Sequence, residues 1–179
     1  GFFMGFFSAK YIKSFIGGES SAGEILLLIG SVLILLYIAV FLQVIIHEAG
    51  HLLFGWMTGY KFLSFRVGSF IWLKQNDSIK FGRLKIAGTA GQCLMQVPDM
   101  KDGKIPFVLY NLGGSIANIF TAVICIGLFF SFRNILLLSV LFILIAVVGI
   151  IFGLMNGIPM QLGPVNNDGY NALSLGKNP

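Results

Sequence analysis

Three long stretches that contain no Asp, Glu, Lys or Arg constrain the fold of this chain more than any other feature of its sequence. They cover residues 25–46, 105–132 and 134–159. A helix needs about 20 apolar residues to cross the hydrocarbon core of a bilayer, and each stretch is long enough. Composition agrees, because 56% of the 179 residues are hydrophobic and 11% are charged, whereas about 25% are charged in soluble domains. We therefore predict a mainly α membrane protein with transmembrane helices over about residues 25–55, 105–132 and 134–159.

The segments outside this core are short. Residues 1–24 carry Lys10 and Lys13 among aromatic side chains, so we expect an interfacial or re-entrant segment rather than a further crossing. No linker or repeat divides residues 25–172, which we interpret as one domain, followed by a tail over residues 173–179. The two cysteines, Cys93 and Cys125, indicate free buried thiols rather than a disulfide framework.

The connection between the first two helices, about residues 60–97, has the pattern of a small sheet. Apolar and polar side chains alternate from Lys61 to Phe70, as they do in a strand with one apolar face. Residues 75–78 have the composition of a turn, and the alternation resumes over residues 79–86 with Gly82 where a bulge would shift its phase. We predict an antiparallel hairpin or small sheet that lies at the membrane surface.

Positive charge is concentrated in the same loop. Eight lysines and arginines lie between the first two helices, whereas only Arg133 lies between the second and the third. The positive-inside rule places such a loop in the cytoplasm, so we expect a multi-pass protein of a bacterial cytoplasmic membrane. Basic loops beside a membrane meet anionic lipid headgroups. The net charge of +5 therefore predicts contact with the lipid bilayer and no nucleic-acid partner.

A polar motif, HEAGH, follows the first apolar stretch at residues 47–51. His47 and His51 lie on one face of a helix because they are four residues apart, and this H-E-x-x-H pattern is typical of zinc sites in hydrolases. Zinc lowers the pKa of bound water to about 7, and Glu48 can take the proton of that water as it attacks a carbonyl. These are the only two histidines of the chain, and ionisable groups at membrane depth are costly enough to indicate function. A purely structural polar cluster stays open as the alternative.

A catalytic zinc site needs a third protein ligand, which we expect to be a carboxylate. Asp168 follows the third helix, on the same side of the membrane as the end of the first. An Asx-type turn before Gly169 is the alternative interpretation of Asp168. The other acidic residues are expected on the opposite side of the membrane or in solvated loops; they are Glu19, Glu24, Asp77, Asp99 and Asp102.

Several short motifs together resemble one known family. They are HEAGH at 47–51, GGSIAN at 113–118, Asn156, Pro159 and NDG at 167–169. Over about residues 33–172 the chain is similar to the three-helix core of the site-2 protease family of intramembrane metalloproteases. The resemblance implies that His47, His51 and Asp168 bind one Zn²⁺ per chain. It also implies that Glu48 activates water, that membrane-spanning substrates are cut near the cytoplasmic face, and that the basic loop is a membrane-associated sheet.

The sequence departs from the family pattern at two places. Ser115 stands where proline is usual in the second helix, and MQLGPVNN separates Pro159 from Asp168 where the family has fewer residues. We expect the additional residues to form a short loop that folds Asp168 back toward the histidine pair.

Small and polar residues predict how the second and third helices pack. Gly149, Gly153 and Gly157 recur every four residues and form a stripe along which another helix can approach closely. Asn118 and Asn156 place amides at membrane depth, and either could donate to a developing oxyanion or to substrate backbone. An interhelical structural bond is the equally open alternative for both.

The favoured interpretation is a zinc intramembrane endopeptidase that hydrolyses peptide bonds in or near a transmembrane segment, by Glu-assisted attack of zinc-bound water. Its substrate would be a membrane protein or peptide precursor that unwinds and pairs as an added strand with a sheet edge over residues 61–73 or 79–86. A non-hydrolytic metal-binding transporter or sensor is the alternative, and a catalytically silent scaffold is a third. The sequence leaves the oligomeric state open.

Overall fold

A computed structural model describes residues 21–76, 78–99, 105–162 and 165–175. The predicted amino-terminal segment over residues 1–24 therefore lies almost wholly outside the described residues, as do residues 176–179 of the predicted tail. The described chain is mostly helical, with short strands between the helices. In chain order its elements are α1 Ala22–Met57, β1 Lys61–Val67, β2 Phe70–Gln75, β3 Ser78–Arg83, β4 Gly91–Gln96, α2 Phe107–Ser131, α3 Leu136–Gly157, β5 Gln161–Leu162, β6 Val165–Asn166 and α4 Asp168–Ser174.

Helix α1 begins at a capping box, and a glycine follows its C-terminal end. The Ser21 hydroxyl accepts from the backbone N–H of Glu24 at 3.3 Å, and the Glu24 carboxylate accepts from the Ser21 N–H at 2.9 Å. These bonds satisfy amide groups that have no partner in the first turn. Gly59, with a φ of +88°, turns the chain out of the helix toward β1.

Helices α1, α2 and α3 are long enough and apolar enough to span a membrane. The three predicted helices are therefore confirmed to within a few residues at each end, whereas their crossing of a membrane stays a prediction. A Cβ atom on Gly149 would lie 2.9 Å from the Asn118 carbonyl oxygen, and one on Gly153 would lie 3.3 Å from the Ser115 carbonyl oxygen. The predicted glycine stripe of α3 therefore packs directly on the backbone of α2.

Strands β1 to β4 form one antiparallel sheet in the order β3-β2-β1-β4. The prediction of a small sheet is confirmed, but Gly68, with a φ of +58°, turns the chain within the predicted first strand and so divides it. The predicted bulge at Gly82 is wrong. Gly82 pairs with Ile71, and every residue of β3 has a partner on β2 in unbroken register. The register shift lies instead between Phe62 and Ser64, where β1 pairs with β4.

The edges of this sheet are β3 and β4, and β1 and β2 are its interior strands. The expectation that a substrate strand could be added along residues 61–73 is therefore wrong for β1 and β2, because both sides of their backbones are already paired. The sequence pattern did not predict β4, which packs against α1. Its Cys93 and Met95 form a small buried core with Tyr60.

Both cysteines are free and buried, as predicted. Burial raises the pKa of the Cys93 thiol to about 12, and the nearby Glu48 carboxylate adds to the effect. Cys93 therefore carries a protonated thiol at neutral pH.

Between α3 and α4, the short strands β5 and β6 pair with each other in antiparallel orientation. Asn167 then caps α4, because its side-chain oxygen accepts from the backbone N–H groups of Tyr170 and Met160, both at 2.9 Å. Its amide nitrogen donates to two backbone carbonyls at the end of α3. The predicted return of Asp168 to the histidine pair is confirmed, and residues 163 and 164 of the predicted loop lie outside the described residues.

Candidate metal centre

Two histidines one turn apart on α1 present the same ring atom to the same point. His47 Nδ1 donates to the side-chain oxygen of Asn118 at 2.6 Å, and His51 Nδ1 donates to the backbone oxygen of Tyr110 at 2.7 Å. Since a carbonyl oxygen can only accept, the proton of each neutral ring is on Nδ1. The two Nε2 atoms therefore carry lone pairs, and they lie 3.2 Å from each other.

Asp168, the first residue of α4, completes a triangle with these rings. Its Oδ2 atom lies 3.0 Å from His47 Nε2 and 3.3 Å from His51 Nε2. Ligand atoms around a tetrahedral ion with bonds of about 2.0–2.1 Å lie about 3.3–3.4 Å apart. The three atoms are close to this spacing, so His47, His51 and Asp168 can hold a metal ion.

The electrostatics of this ligand triangle favour a cation. Burial by itself raises the pKa of the Asp168 carboxyl, but positive charge and hydrogen-bond donors on the adjacent His47 and His51 rings lower that pKa to about 2, so the carboxyl is ionised when positive charge lies beside it. Three atoms with lone pairs repel one another unless positive charge lies between them. The donor set contains nitrogen and oxygen without thiolate, which suits zinc and several other first-row divalent ions.

Glycines fix the ligands on two sides. A Cβ atom on Gly169 would collide with the carbonyl oxygen of Gly157 at the end of α3, so the first turn of α4 is in direct backbone contact with α3. A Cβ atom on Gly114 would lie 2.5 Å from Cε1 of His47, so the imidazole packs flat on the backbone of α2. Side chains at either glycine would displace a ligand.

Glu48 lines the same cavity but does not belong to the ligand triangle. Its side chain is 8% exposed and lies against Gly91. The cavity has a volume of about 640 Å³ and extends from the triangle to β4 and the loop that precedes it. A carboxylate beside a metal site, and not within it, can accept a proton from a group bound there.

Arg66 fixes one wall of this cavity. It lies on β1 and is 1% exposed. Its guanidinium donates to the backbone oxygens of Gly68 at 2.7 Å and Gly91 at 3.1 Å, and to the hydroxyl of Thr89. These bonds tie residues 87–91, all of which except Ala90 line the cavity, to the interior of the sheet.

Asn118 and Asn156 differ in their relation to the cavity. Asn118 is 0% exposed, and its amide contacts Gln43 and His47, which is the interhelical alternative. Asn156 lines the cavity, and its amide nitrogen donates to the Phe152 carbonyl of its own helix at 3.0 Å. A role toward the oxyanion or the substrate backbone stays a prediction for both.

Five acidic residues were not expected to bind the metal, and those of them that the structure describes lie away from the site. Glu24 is in the first turn of α1, roughly 35 Å along the helix from His47. Asp99 is exposed and does not line the cavity. Glu19, Asp77 and Asp102 lie outside the described residues.

Three residues of the site were not predicted from the sequence: Gln43, Arg66 and Gly91. Gln43 carried a signal, because it is an amide in an apolar run, four residues before His47. Arg66 was predicted on the polar face of the first strand and as one charge of the basic loop, and its burial has no local signal. Gly91 lies in a strand that was not predicted.

Comparisons of the chain with protein-family models, with curated proteins and with solved structures found no match. The site is therefore defined by its own geometry. Relationship to the site-2 protease family stays a prediction from short motifs.

Proposed function

We propose that the protein is a zinc-dependent intramembrane endopeptidase that cuts a peptide bond in or near a transmembrane segment. The observation that carries the proposal is the convergence of two imidazole nitrogens and one carboxylate oxygen at 3.0–3.3 Å from one another, with the separate Glu48 carboxylate in the same cavity. Three protein ligands leave one position of a four-coordinate ion open, as in catalytic zinc sites. The motifs that resemble the site-2 protease family agree with this assignment.

The proposed chemistry divides between the ion and one side chain. When bound by His47, His51 and Asp168, zinc supplies Lewis acidity and lowers the pKa of water to about 7. Glu48 takes a proton from the attacking water and delivers it to the nitrogen of the departing amine, so its carboxylate is regenerated in each turnover. Asn156, in the cavity wall, is the candidate donor to the substrate carbonyl.

The proposed site lies near one face of the membrane. His47 is roughly 33 Å along the axis of α1 from Ile25, which is close to the thickness of the hydrocarbon core, about 30 Å. The basic loop follows α1 directly, so the positive-inside rule favours the cytoplasmic face for this end. The sheet would then lie among the headgroups on that side.

Substrate presentation is proposed to use β4. A helical peptide carbonyl is already hydrogen-bonded within its helix, so a transmembrane substrate has to unwind before water can attack it. Strand β4 is an edge of the sheet, and its residues 91–94 line the cavity. We infer that an unwound substrate of a membrane protein or peptide precursor pairs with β4 by strand addition.

The test combines elemental analysis of zinc with cleavage of a fluorogenic membrane-segment peptide, on full-length protein purified in detergent. We expect Glu48→Gln to keep about one zinc per chain and lose cleavage, and Asp168→Ala to lose both. Asp99→Ala removes an exposed carboxylate outside the cavity and should keep both. Cleavage by Glu48→Gln at the wild-type rate, with zinc bound, would reject hydrolysis and favour the metal-binding transporter or sensor.

A further inference from the structure

A chain of hydrogen bonds runs from the ligand triangle into the middle of the helix bundle. His47 Nδ1 donates to Asn118 Oδ1 at 2.6 Å. Asn118 Nδ2 donates to Oε1 of Gln43 at 2.5 Å and to its backbone oxygen at 2.9 Å. Gln43 Nε2 donates to the backbone oxygen of Ile145 at 2.9 Å. Both amides are 0% exposed, and the chain joins α1, α2 and α3.

Donors and acceptors can be assigned along this chain of hydrogen bonds in only one way. The Ile145 carbonyl can only accept, so Gln43 presents its Nε2 to α3 and its Oε1 to Asn118. Asn118 then presents Nδ2 to Gln43 and Oδ1 to His47. The ring of His47 must donate from Nδ1, which leaves the lone pair on Nε2. The Ile145 carbonyl of α3, acting through the Gln43 side chain, and the backbone carbonyl of Gln43 thus together determine which nitrogen of His47 is free to bind metal.

We propose that Gln43 is a positioning residue for the metal site, because through Asn118 it keeps the Nε2 atom of His47 unprotonated and directed at the ligand triangle. The inference rests on the metal centre of the proposed function and does not require hydrolysis. When the Gln43 side chain cannot accept, only the Gln43 backbone oxygen still holds the Asn118 amide in this orientation, so the turned form with Nδ2 facing His47 is more populated. In the turned form the ring carries its proton on Nε2, where the proton excludes a metal ion.

The alternative role for Gln43 is a bond that only holds the helices together, since a buried amide in a membrane needs partners. The backbone oxygen of Gln43 also accepts from Asn118, so loss of the side chain removes part of the orientation and not all of it. A positioning role therefore predicts a partial loss of metal affinity. A purely structural role predicts a loss of stability with unchanged affinity.

Gly149 gives an independent way to disturb the same chain. A Cβ atom on Gly149 would lie 2.5 Å from Gln43 Nε2, so only glycine lets this amide reach Ile145. Gly149→Ala should therefore displace both the Gln43 side chain and the backbone of Asn118, whose carbonyl oxygen would lie 2.9 Å from the same Cβ atom, while the chemistry of both amides stays intact. Its effect on metal affinity should have the same direction as that of Gln43→Met.

The experiment measures affinity for Zn²⁺ alone, by competition with a chromophoric chelator, on the full chain in detergent. The d–d spectrum of bound Co²⁺ is the second readout, because it reports ligand geometry. Loss of a direct partner of a ligand histidine weakens metal binding about 10–100-fold, which we expect for Asn118→Leu. For Gln43→Met we expect the lower end of that range, about tenfold. Val44→Ala trims a buried apolar side chain beside Gln43 and should leave the affinity unchanged.

The same substitution made in an Asn118→Asp variant separates an effect of Gln43 on the orientation of residue 118 from an effect on the stability of the protein. In Asn118→Asp both side-chain oxygens accept, so His47 keeps an acceptor whichever way the carboxylate turns. Adding Gln43→Met to Asn118→Asp should therefore change Zn²⁺ affinity much less than Gln43→Met changes it in the wild type. Equal effects in the two backgrounds would mean that Gln43 acts on stability and not on orientation.

The outcomes separate this inference from the proposed function. If the wild type binds no metal, both are wrong. If it binds Zn²⁺ and Gln43→Met binds equally tightly with an unchanged Co²⁺ spectrum, the positioning role alone is wrong. Failure to cleave a peptide bears only on the proposed function, because the affinity comparison does not use activity.

Discussion

The carboxylate of Glu48 lies directly against the α-carbon of Gly91. A Cβ atom on Gly91 would be 2.5 Å from Oε1 and 2.7 Å from Cγ of Glu48. Gly91 begins β4, and its carbonyl oxygen accepts from the buried Arg66 at 3.1 Å, so the backbone is held in place. The first residue of β4 therefore determines where the Glu48 carboxylate lies in the cavity.

Gly91→Ala is expected to displace Glu48 without changing the ligand triangle. Zinc content should stay at the wild-type level, whereas kcat should fall roughly tenfold or more, as part of the 10²–10⁴-fold that a positioned acid–base group contributes. Gly82→Ala on β3 is the matched control, because a Cβ atom there would lie 3.8 Å from Ile71. Steady-state cleavage and zinc analysis of both variants make the comparison. Equal activity of the two would contradict a catalytic role for Glu48 in this position.

Gly114→Ala is expected to weaken metal binding, because the added methyl group would lie 2.5 Å from Cε1 of His47 and would push the ring away from Asp168. Over-packing of this kind costs about 1–3 kcal/mol, so Zn²⁺ affinity should fall roughly 5–150-fold. Gly127→Ala on the same helix has no atom within 4 Å of its added Cβ and serves as the control. Chelator competition on both variants is the measurement, and equal affinities would show that the ring does not need this contact.

Much of the fold could be predicted from the sequence because its signals are local. The three helices follow from charge-free length alone, and the spacing of His47 and His51 puts both rings on one helix face. Asp168 could be assigned as a candidate because it follows the third helix on the expected side of the membrane. Its distance from the rings required the β5–β6 hairpin, whose two-residue strands are too short to show a pattern.

The features that were missed depend on contacts between distant segments. Strand β4 has no apolar alternation over its length, and its pairing with β1 is what makes it a strand. The local sequence around Arg66 does not distinguish it from the exposed basic residues of the same loop. Arg66 is buried only because residues 87–91 return to β1. The orientation of Asn118 is set from α1 and α3 together, so no local pattern on α2 could have indicated it.

Metal removal is expected to lower the stability of the folded chain. An ion that binds only the native state stabilises it by about 2.7 kcal/mol at a concentration of 100 Kd, so a chelator should lower the Tm of the wild type in detergent and added Zn²⁺ should restore it. The Tm of Asp168→Ala should respond to neither treatment. Asp99→Ala, which removes an exposed carboxylate, should respond like the wild type. A wild-type Tm that does not change with chelator would argue against a metal in the ligand triangle.

Arg66→Met is expected to loosen the wall of the cavity. The change removes the donor to the backbone oxygens of Gly68 and Gly91 and to the Thr89 hydroxyl, and hydrogen bonds to charged groups contribute about 1.5–3 kcal/mol each. We expect a loss of roughly 2–4 kcal/mol in the free energy of unfolding, less than the sum of the three bonds, because the buried guanidinium also costs desolvation free energy that methionine does not. Denaturant titration in detergent measures this loss, and proteolysis within residues 87–91 should be faster.

The matched control for this change is Arg83→Met, on the exposed edge strand β3. The Arg83 guanidinium lies 5.6 Å from the centroid of the Phe70 ring, and an exposed contact of this kind contributes about 0.5–1 kcal/mol. Arg66→Lys keeps the charge but not the fork of donors, so its stability should lie between those of the wild type and Arg66→Met. Arg66 holds the backbone of Gly91, and Gly91 contacts the Glu48 carboxylate. Cleavage should therefore fall with Arg66→Met and not with Arg83→Met. Equal losses of stability and activity in both arginine variants would mean that the two charges act through the field of the basic loop and not through the bonds of Arg66.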